Sequence, residues 1–262
     1  MIGVFDSGLG GLTALSELVA LLPGEDFVYL ADSAHLPYGK RSQSEIIRLS
    51  SFSVSFLRDK GANEVLFACG TASSLGFDFC KQYFPFRLYE VVTPSVLKAT
   101  SLTKSRRIGV AATEATVKSG SFRRLIDRYA PDCMLTEVCC PSLVSLSESG
   151  TVHDETCYNA VCAALAPLVH AKIDTLILGC THFALLKTAI RALLPSVLVV
   201  ESGKEGARAL VEEKYGVLPE RPAPKSGRIR LYATADETAL SRAASMLLGK
   251  HLRAEKINPD II

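Results

Sequence analysis

The sequence predicts an α/β protein of two pseudosymmetric, doubly wound lobes, each built on a mainly parallel sheet. Three observations lead to this fold class: short apolar runs recur along the chain, helix-like segments separate them, and one strand-and-cysteine pattern occurs twice. Continuous apolar strands that alternate with helices are typical of parallel sheets covered on both faces. The 262 residues suffice for two lobes of about 100–150 residues each, and we expect an active site in the cleft between the lobes.

Strands are expected where a short run is apolar and rich in β-branched residues. These runs are Ile2–Phe5, Phe27–Leu30, Glu64–Ala68, Leu88–Val92, Ile108–Ala111, Met134–Val138, Thr175–Leu178, Val197–Val200 and Ile229–Tyr232. Helices are expected in the longer segments Gly11–Leu22, Ser42–Lys60, Val117–Tyr129, Asp154–Ala171, Gly206–Tyr215 and Ala235–Leu248. The last helix follows Thr234, a residue type that caps helices. The prolines in Leu218–Gly227 predict a connecting segment.

One pattern occurs twice along the chain. Glu64-Val-Leu-Phe-Ala-Cys69-Gly-Thr71 and Asp174-Thr-Leu-Ile-Leu-Gly-Cys180-Thr181-His182 each place an acidic residue before an apolar strand and a cysteine after it. In doubly wound sheets, ligands bind beyond the carboxyl ends of the strands. The repeat therefore predicts duplicated halves whose two cysteines face one crevice.

The repeat also suggests how the chain divides into lobes. We expect the first lobe to comprise residues 1–95 and 205–262, and the second lobe residues 96–204. The first lobe is then discontinuous, because the tail of the chain returns to it.

Composition and charge narrow the class of partner. The 29 basic and 27 acidic side chains are interspersed, so no basic face for nucleic acid is expected and a small-molecule substrate is favoured. The residues after Met1 do not resemble a secretory signal, and no apolar run reaches the roughly 18 residues of a membrane span. We expect a cytoplasmic protein without a membrane partner.

The eight cysteines are expected to be free thiols. They lack the paired spacing of metal ligands, and the chain is not a short secreted scaffold, so neither a metal nor disulfides are predicted. Most are expected to be buried as small hydrophobic residues, including Cys139 and Cys140.

Two turns that follow predicted strands are candidate binding segments. Asp6-Ser7-Gly8-Leu-Gly-Gly matches neither common phosphate-binding glycine pattern, but its backbone N–H groups suit a carboxylate. The alternative is that these glycines serve only a tight turn. Pro37-Tyr38-Gly39 lies at the tip of the next turn, where an ordinary surface turn is an equal alternative.

Two facing thiols suit the inversion of an amino acid at its α-carbon, because one group must remove a proton from one face while another returns a proton to the opposite face. Cysteine has a reference pKa of about 8.5, which a nearby charge brings closer to neutrality. Asp6 and His182 are the candidate partners of Cys69 and Cys180. Hydroxyl donors would stabilise the carbanion, and no lysine suits pyridoxal chemistry, so no cofactor is predicted.

With these residues identified, the chain resembles the glutamate racemases of the aspartate/glutamate racemase superfamily over nearly its whole length. The motifs that carry the resemblance are Val-Phe-Asp6-Ser7-Gly8-Leu-Gly-Gly-Leu-Thr, Asp32-Ser33, Leu-Pro37-Tyr38-Gly39, Ala-Cys69-Gly70-Thr71-Ala, Gly109-Val-Ala-Ala-Thr113-Glu-Ala-Thr116-Val, Cys140-Pro-Ser-Leu-Val-Ser-Leu-Ser-Glu148-Ser-Gly150, Leu-Gly179-Cys180-Thr181-His182 and Glu201-Ser202-Gly203. Together they are specific, although none would be specific alone.

The resemblance implies cofactor-independent interconversion of L- and D-glutamate for peptidoglycan synthesis, in a cleft between two α/β lobes. It implies Cys69 and Cys180 as the catalytic thiols, with Asp6 and His182 assisting. Residues around the substrate would be Ser7, Pro37, Tyr38, Gly39, Gly70, Thr71, Thr113, Thr116, Glu148 and Thr181. The resemblance also allows a homodimer.

The sequence departs from the family pattern at three places. Gly70 replaces the family's usual asparagine, Phe183-Ala184 replaces Tyr-Pro, and Glu201 replaces an aspartate. Loss of the amide is expected to weaken substrate binding, since one hydrogen bond contributes about 0.5–1.5 kcal/mol. Gly70 would also enlarge the pocket, so racemisation of another acidic amino acid such as aspartate stays open. A non-catalytic binding or regulatory protein on the same fold is the other alternative.

Overall fold

The computed structural model describes residues 1–148, 155–216 and 227–259. In these ranges the strands are β1 Ile2–Asp6, β2 Phe27–Ala31, β3 Glu64–Phe67, β4 Arg87–Tyr89, β5 Arg107–Ala112, β6 Met134–Cys139, β7 Thr175–Leu178, β8 Leu198–Glu201, β9 Ile229–Ala233 and β10 Ala254–Lys256. The α-helices are α1 Leu12–Leu21, α2 Gln43–Asp59, α3 Gly70–Leu75, α4 Phe77–Tyr83, α5 Val92–Leu102, α6 Glu114–Ser119, α7 Ser121–Tyr129, α8 Pro141–Glu148, α9 Glu155–His170, α10 Lys187–Leu193, α11 Ser202–Tyr215 and α12 Glu237–Leu248. Short 3-10 helices cover Ser33–His35, Tyr38–Lys40 and Thr181–Leu186.

The strands form two parallel sheets. The first lobe contains a six-stranded sheet in the order β10-β9-β2-β1-β3-β4, and the second lobe contains a four-stranded sheet in the order β6-β5-β7-β8. The order β2-β1-β3-β4 matches β6-β5-β7-β8 strand for strand. The predicted two-lobed parallel α/β fold is confirmed, and β3 and β7, which precede the two cysteines, occupy equivalent places.

Each sheet is covered by helices on both faces. In the first lobe Leu66 of β3 packs with Leu15 of α1, whereas the next residue, Phe67, packs with Leu49 of α2 on the opposite face. In the second lobe Leu176 and Ile177 of β7 likewise enter different apolar clusters. This alternation follows from the two-residue period of a strand, and it explains why the strands read as continuous apolar runs.

Several helix boundaries differ from the sequence prediction for local reasons. The predicted helix Val117–Tyr129 is divided into α6 and α7, because Gly120 has a φ of 66°, a left-handed conformation that ends a helix. The expected strand Leu88–Val92 is wrong in its second half. The Glu90 carboxylate accepts hydrogen bonds from the N–H groups of Val92 and Thr93 and so starts α5 there.

The predicted cap of the last helix was also wrong. Asp236, not Thr234, precedes α12, and its carboxylate accepts a 2.8 Å hydrogen bond from the N–H of Ala239. Helices α3, α4, α5, α8 and α10 and strand β10 had not been predicted. Of the expected connecting segment Leu218–Gly227, residues 218–226 lie outside the described residues.

Two helices carry the chain between the lobes. Val92 and Val96 of α5 pack in the core of the second lobe, whereas Leu210 of α11 packs in the core of the first lobe. The crossings lie side by side, since a Cβ atom on Gly206 would approach Val91 Cγ1 to 2.6 Å. The expected boundaries after residues 95 and 204 fall inside these two helices. We propose that the chain changes lobe there.

All eight cysteines are free thiols, as expected. Cys140 is buried, but the expectation that Cys139 is buried was wrong. Cys139 ends β6, an edge strand, and successive strand residues point to opposite sides. No helix among residues 1–148, 155–216 and 227–259 is long and apolar enough to cross a membrane.

Asp174, the acidic residue before β7, holds a loop of the second lobe. Its carboxylate accepts hydrogen bonds from the Thr103 hydroxyl at 2.6 Å, the Lys104 N–H at 2.7 Å and the Ser105 N–H at 2.6 Å. Burial acts to raise the pKa of Asp174, but these donors outweigh it and hold the pKa well below its usual value of 3.8. The carboxylate therefore stabilises the fold at neutral pH.

We predict that Asp174→Asn lowers the free energy of unfolding at pH 7 and has a smaller effect at pH 3. A lowered folded pKa gives stability that is present above the unfolded value of 3.8 and is lost as the pH falls toward the folded value. Urea unfolding at pH 7, 5 and 3 measures the difference. Asp132→Asn is the control, because Asp132 has a 61% exposed side chain in a 3.4 Å ion pair with Arg106. Equal losses at pH 7 and pH 3 would contradict the prediction.

Candidate active site

The candidate site lies where the carboxyl ends of the central strands of the two lobes meet. Asp6 ends β1, Cys69 follows β3, Thr113 follows β5 and Cys180 follows β7. Hydrogen bonds join side chains of the two lobes here: the Thr181 hydroxyl donates to Asp6 Oδ2 at 2.9 Å, and the hydroxyls of Thr71 and Thr113 lie 2.9 Å apart. The structure thus brings the predicted residues of the two halves together.

Cys69 is almost fully buried, with 5% of its surface exposed. Cys69 directly precedes α3. Its thiol donates to the Ser7 hydroxyl over a sulfur–oxygen distance of 3.6 Å. Burial and the Asp6 carboxylate raise the pKa of Cys69 to about 12, although the backbone N–H of Ala72 and the Ser7 hydroxyl act in the opposite direction. The surroundings of Cys69 therefore favour the protonated thiol.

Cys180 occupies the equivalent position in the second lobe and is 6% exposed. Its sulfur lies 3.5 Å from Nδ1 of His182, and His182 is itself buried. A Cβ atom built on Gly70, the residue after Cys69, would lie 3.8 Å from Cys180 Cα, so the backbones that carry the two thiols are close together. An imidazole beside a thiol is an arrangement that supports proton exchange between them.

Asp6 connects the first lobe to the second. Its side chain is fully buried, and one carboxylate oxygen accepts from the Gly8 N–H at 2.9 Å while the other accepts from Thr181 of the opposite lobe. The glycine-rich turn after β1 therefore wraps around this carboxylate. The turn has a second support, because the Tyr29 hydroxyl donates to the Gly8 carbonyl oxygen at 2.8 Å.

Three threonines form a hydroxyl cluster across the lobes. The oxygen of Thr113 lies 2.9 Å from those of both Thr71 and Thr116, and the Thr116 hydroxyl donates to Thr71 at 3.3 Å. All three are buried. Because each hydroxyl can both donate and accept, the cluster can reorient toward a carboxylate.

The turn with Pro37, Tyr38 and Gly39 forms one wall. Pro37 is exposed, and the buried Tyr38 donates its hydroxyl to Asp32 Oδ2 at 2.6 Å. Burial, with Asp32 next in importance, raises the pKa of Tyr38 well above its usual value of 10. Gly39 lies against Thr113, where a Cβ atom would approach Thr113 Cβ to 2.7 Å. This turn is therefore not an ordinary surface turn, since it contacts the opposite lobe.

Sequence reasoning did not assign a role to Asp32, which organises this wall. Asp32 is fully buried. Besides the Tyr38 hydroxyl it accepts from the Thr234 hydroxyl at 2.9 Å, and it lies 2.8 Å from His35 Nδ1. The available signal was its position directly after β2, equivalent to that of Ser7 after β1.

Gly70 does not enlarge the site, contrary to the sequence expectation. A Cβ atom built on Gly70 would lie 2.0 Å from the carbonyl oxygen of Gly179. The backbone of the second lobe therefore fills the space that a side chain would take. The pocket is therefore no wider at Gly70, and this position does not favour another acidic substrate.

Glu148 and the other departures from the family pattern complete the set of predicted positions. Glu148 is the last residue of α8, and its side chain is outside the described residues. A cavity of about 200 Å³ opens between the turn at Pro37–Lys40 and the start of α8, next to Thr113. Of the other departures from the family pattern, Phe183 is fully buried and Glu201 pairs with Lys187.

Taken together, the arrangement can move protons at two sides of one carbon atom. It offers two buried thiols at equivalent strand ends, with unlike partners: Ser7 and Asp6 at Cys69, and His182 at Cys180. The described residues of the chain contain no cluster of three or more histidine, cysteine or acidic side chains that could hold a metal ion.

The chain is similar to known proteins over most of its length. A family model described as Asp/Glu/Hydantoin racemase matches residues 2–210. The glutamate racemase of Aquifex aeolicus is 38% identical over 260 residues, which cover 99% of this chain and 96% of that protein.

Solved structures are similar over the same extent. A glutamate racemase isoform from Bacillus anthracis has a TM-score of 0.90 at 29% identity, covering 99% of this chain and 97% of that one. A glutamate racemase from Francisella tularensis, crystallised in complex with D-glutamate, has a TM-score of 0.87 at 28% identity, covering 100% of this chain and 98% of that one. Since both the family model and relatives of this similarity span most of its length, the chain belongs to the Asp/Glu/Hydantoin racemase family and, within it, to the glutamate racemases.

Proposed function

We propose that this protein interconverts L-glutamate and D-glutamate, with Cys69 and Cys180 as its two acid/base groups. The observation that carries the proposal is the pair of buried thiols at the equivalent ends of β3 and β7, each with its own polar partner. Membership of the glutamate racemases supports the choice of substrate.

In the proposed reaction, one cysteine acts as thiolate and removes the α-proton from one face of glutamate. The electron pair of the broken C–H bond remains on the α-carbon and spreads into the carboxylate. The other cysteine, as thiol, donates its proton to the opposite face. The reverse direction exchanges the two roles, so no cofactor is required and the proton count balances.

The charges around Cys69 explain how substrate would ready it for this step. Asp6 raises the pKa of Cys69 because its negative charge opposes a thiolate. The ammonium group of glutamate, placed beside Asp6, offsets that charge and favours the thiolate. On the other side, His182 lies beside Cys180, where its imidazole can stabilise either state of this thiol while the thiol itself exchanges a proton with the α-carbon.

Hydroxyl and amide donors would hold the α-carboxylate as negative charge develops on it. The hydroxyls of Ser7, Thr71, Thr113, Thr116 and Thr181 are buried at the lobe interface, where a hydrogen bond to a charged group is stronger than in water. Such donors lower the barrier because they are aligned before the charge appears. Gly70 contributes only its backbone to this set, and Glu148 stays a predicted contact to the substrate.

The proposed product, D-glutamate, would serve peptidoglycan synthesis, and we place the protein in the cytoplasm, where thiols remain reduced. It would act on its small-molecule substrate without nucleic acid or membrane. A homodimer stays a prediction, which sedimentation would test.

We predict that Cys69→Ser and Cys180→Ser each lower kcat for glutamate racemisation by at least about 100-fold, because each removes one of two required acid/base groups. Circular dichroism of glutamate solutions follows the reaction in both directions, and mass spectrometry in deuterium oxide follows exchange of the α-proton. Cys139→Ser is the matched control, since Cys139 is an exposed free thiol. Full activity of either site variant would refute the two-thiol mechanism.

We also predict that kcat/KM for glutamate exceeds kcat/KM for aspartate by about 10- to 200-fold, the range that one methylene group provides. The reason is that aspartate lacks one methylene group, so in a cleft that accommodates glutamate it leaves part of the space unfilled and loses those contacts. Racemisation rates of both amino acids, measured without added cofactor, decide this. Equal values would favour a general acidic amino-acid racemase.

A further inference from the structure

The first lobe meets the second through three glycines that leave no room for a side chain. We name Gly10, Gly39 and Gly70 the glycine seam. A Cβ atom on Gly10 would lie 2.6 Å from the backbone nitrogen of His182, and one on Gly39 would lie 2.7 Å from Thr113 Cβ. At Gly70 the corresponding distance, to the Gly179 carbonyl oxygen, is 2.0 Å. The seam therefore extends from one side of the candidate site to the other.

The contact at Gly70 is the tightest of the three and the hardest to relieve. Its obstacle is a backbone oxygen, which cannot rotate away as the end of a side chain can. Cβ atoms essentially never approach another atom closer than 3.0 Å, so a methyl group at 2.0 Å would require a shift of about 1 Å. Interiors are close-packed, so the shift must come from the lobes moving apart.

Each glycine of this contact is the chain neighbour of one of the two cysteines. Gly70 follows Cys69, and Gly179 precedes Cys180. The two residues belong to opposite lobes, so the distance between their backbones constrains the separation of the two cysteines. Because both residues are glycines, the contact joins backbone atoms, and no side-chain rotation can change its length.

Hydrogen bonds beside the seam depend on the same spacing. Thr181 to Asp6, Thr71 to Thr113, and Ser74 to Ser121 each join the lobes at 2.9 Å. An increase of about 1 Å would take these pairs beyond hydrogen-bonding distance. The seam and the polar contacts thus define one closed arrangement of the lobes.

We propose that Gly70 is a positioning residue for racemisation: its missing side chain lets the lobes close until Cys69 and Cys180 reach their working separation. The inference rests on the proposed function, because it takes these thiols as the acid/base pair. Gly70 is then a requirement of this closed cleft rather than a loss of a substrate contact. A misplacement of about 1 Å can cost about 100-fold in rate, so small changes at Gly70 should be visible in kcat.

The test is Gly70→Ala, which adds one methyl group at the contact. We expect kcat to fall about 100-fold with a smaller change in KM, because the thiols flank the substrate at the wrong distance. We also expect iodoacetamide to alkylate Cys69 and Cys180 about tenfold faster, because holding the lobes apart exposes them. Peptide mass spectrometry gives each rate relative to the exposed Cys139 in the same sample.

The matched control is Gly203→Ala. A Cβ atom there would lie 3.2 Å from the side chains of Ala14 and Thr13, a far milder approach than the 2.0 Å to a backbone oxygen at Gly70. We expect wild-type kcat and wild-type alkylation rates for this variant. A structural effect of any added methyl group would instead lower the activity of both variants.

The outcomes separate this inference from the proposed function. Wild-type kcat and alkylation rates in folded Gly70→Ala would overturn the role of Gly70. Absence of racemase activity in the wild-type protein would refute the proposed function, whereas the alkylation comparison would still decide whether Gly70 sets the lobe spacing. If Gly70→Ala does not fold, Gly39→Ala tests the same seam: faster alkylation of the two thiols supports it, and an unchanged rate overturns it.

Discussion

The hydrogen bond from the Thr181 hydroxyl to the Asp6 carboxylate is the contact on which the arrangement of the two lobes depends. Asp6 has no exposed surface, and a buried carboxylate is costly unless donors satisfy it. The Gly8 N–H supplies one donor within the first lobe, and Thr181 supplies another from the second. Closing the lobes therefore helps to satisfy Asp6, and Asp6 in turn raises the pKa of Cys69. The same carboxylate thus joins the two lobes and, together with burial, raises the pKa of Cys69.

The duplicated sheet explains why the two cysteines occupy equivalent positions, although their side-chain partners differ. Strands β3 and β7 hold equivalent places, so Cys69 and Cys180 approach the cleft from opposite lobes, as a reaction on two faces of one carbon requires. Their partners differ, because Cys69 lies near Ser7 and Asp6 whereas Cys180 lies near His182. In a racemase each thiol must act both as acid and as base. The different surroundings of the two thiols are compatible with this requirement if the charge of the bound substrate offsets the charges near each thiol.

The sequence and the structure lead to different interpretations of Gly70. The motif alone predicts the loss of an amide contact and a wider pocket. In the structure, however, the Gly179 carbonyl occupies the space beside Gly70. Gly39 and Gly10 make similar contacts with the second lobe. The first lobe thus presents backbone rather than side chains to its partner at three places, which permits a closer approach than longer residues would allow.

The sequence by itself determined the fold class, because strand and helix periodicities are local. It also determined the duplication and the choice of Cys69 and Cys180 as candidate site residues, because the paired motifs lie directly after their strands. Some predictions were wrong because of local contacts that the sequence pattern does not reveal. Glu90 starts α5, and Cys139 is exposed at the end of an edge strand. Only the tertiary structure decided the role of Asp32, the threonine cluster and the contact between Gly70 and Gly179. Thr181 and Asp6 are 175 residues apart, and no local pattern reports which distant backbone will occupy the space beside a glycine.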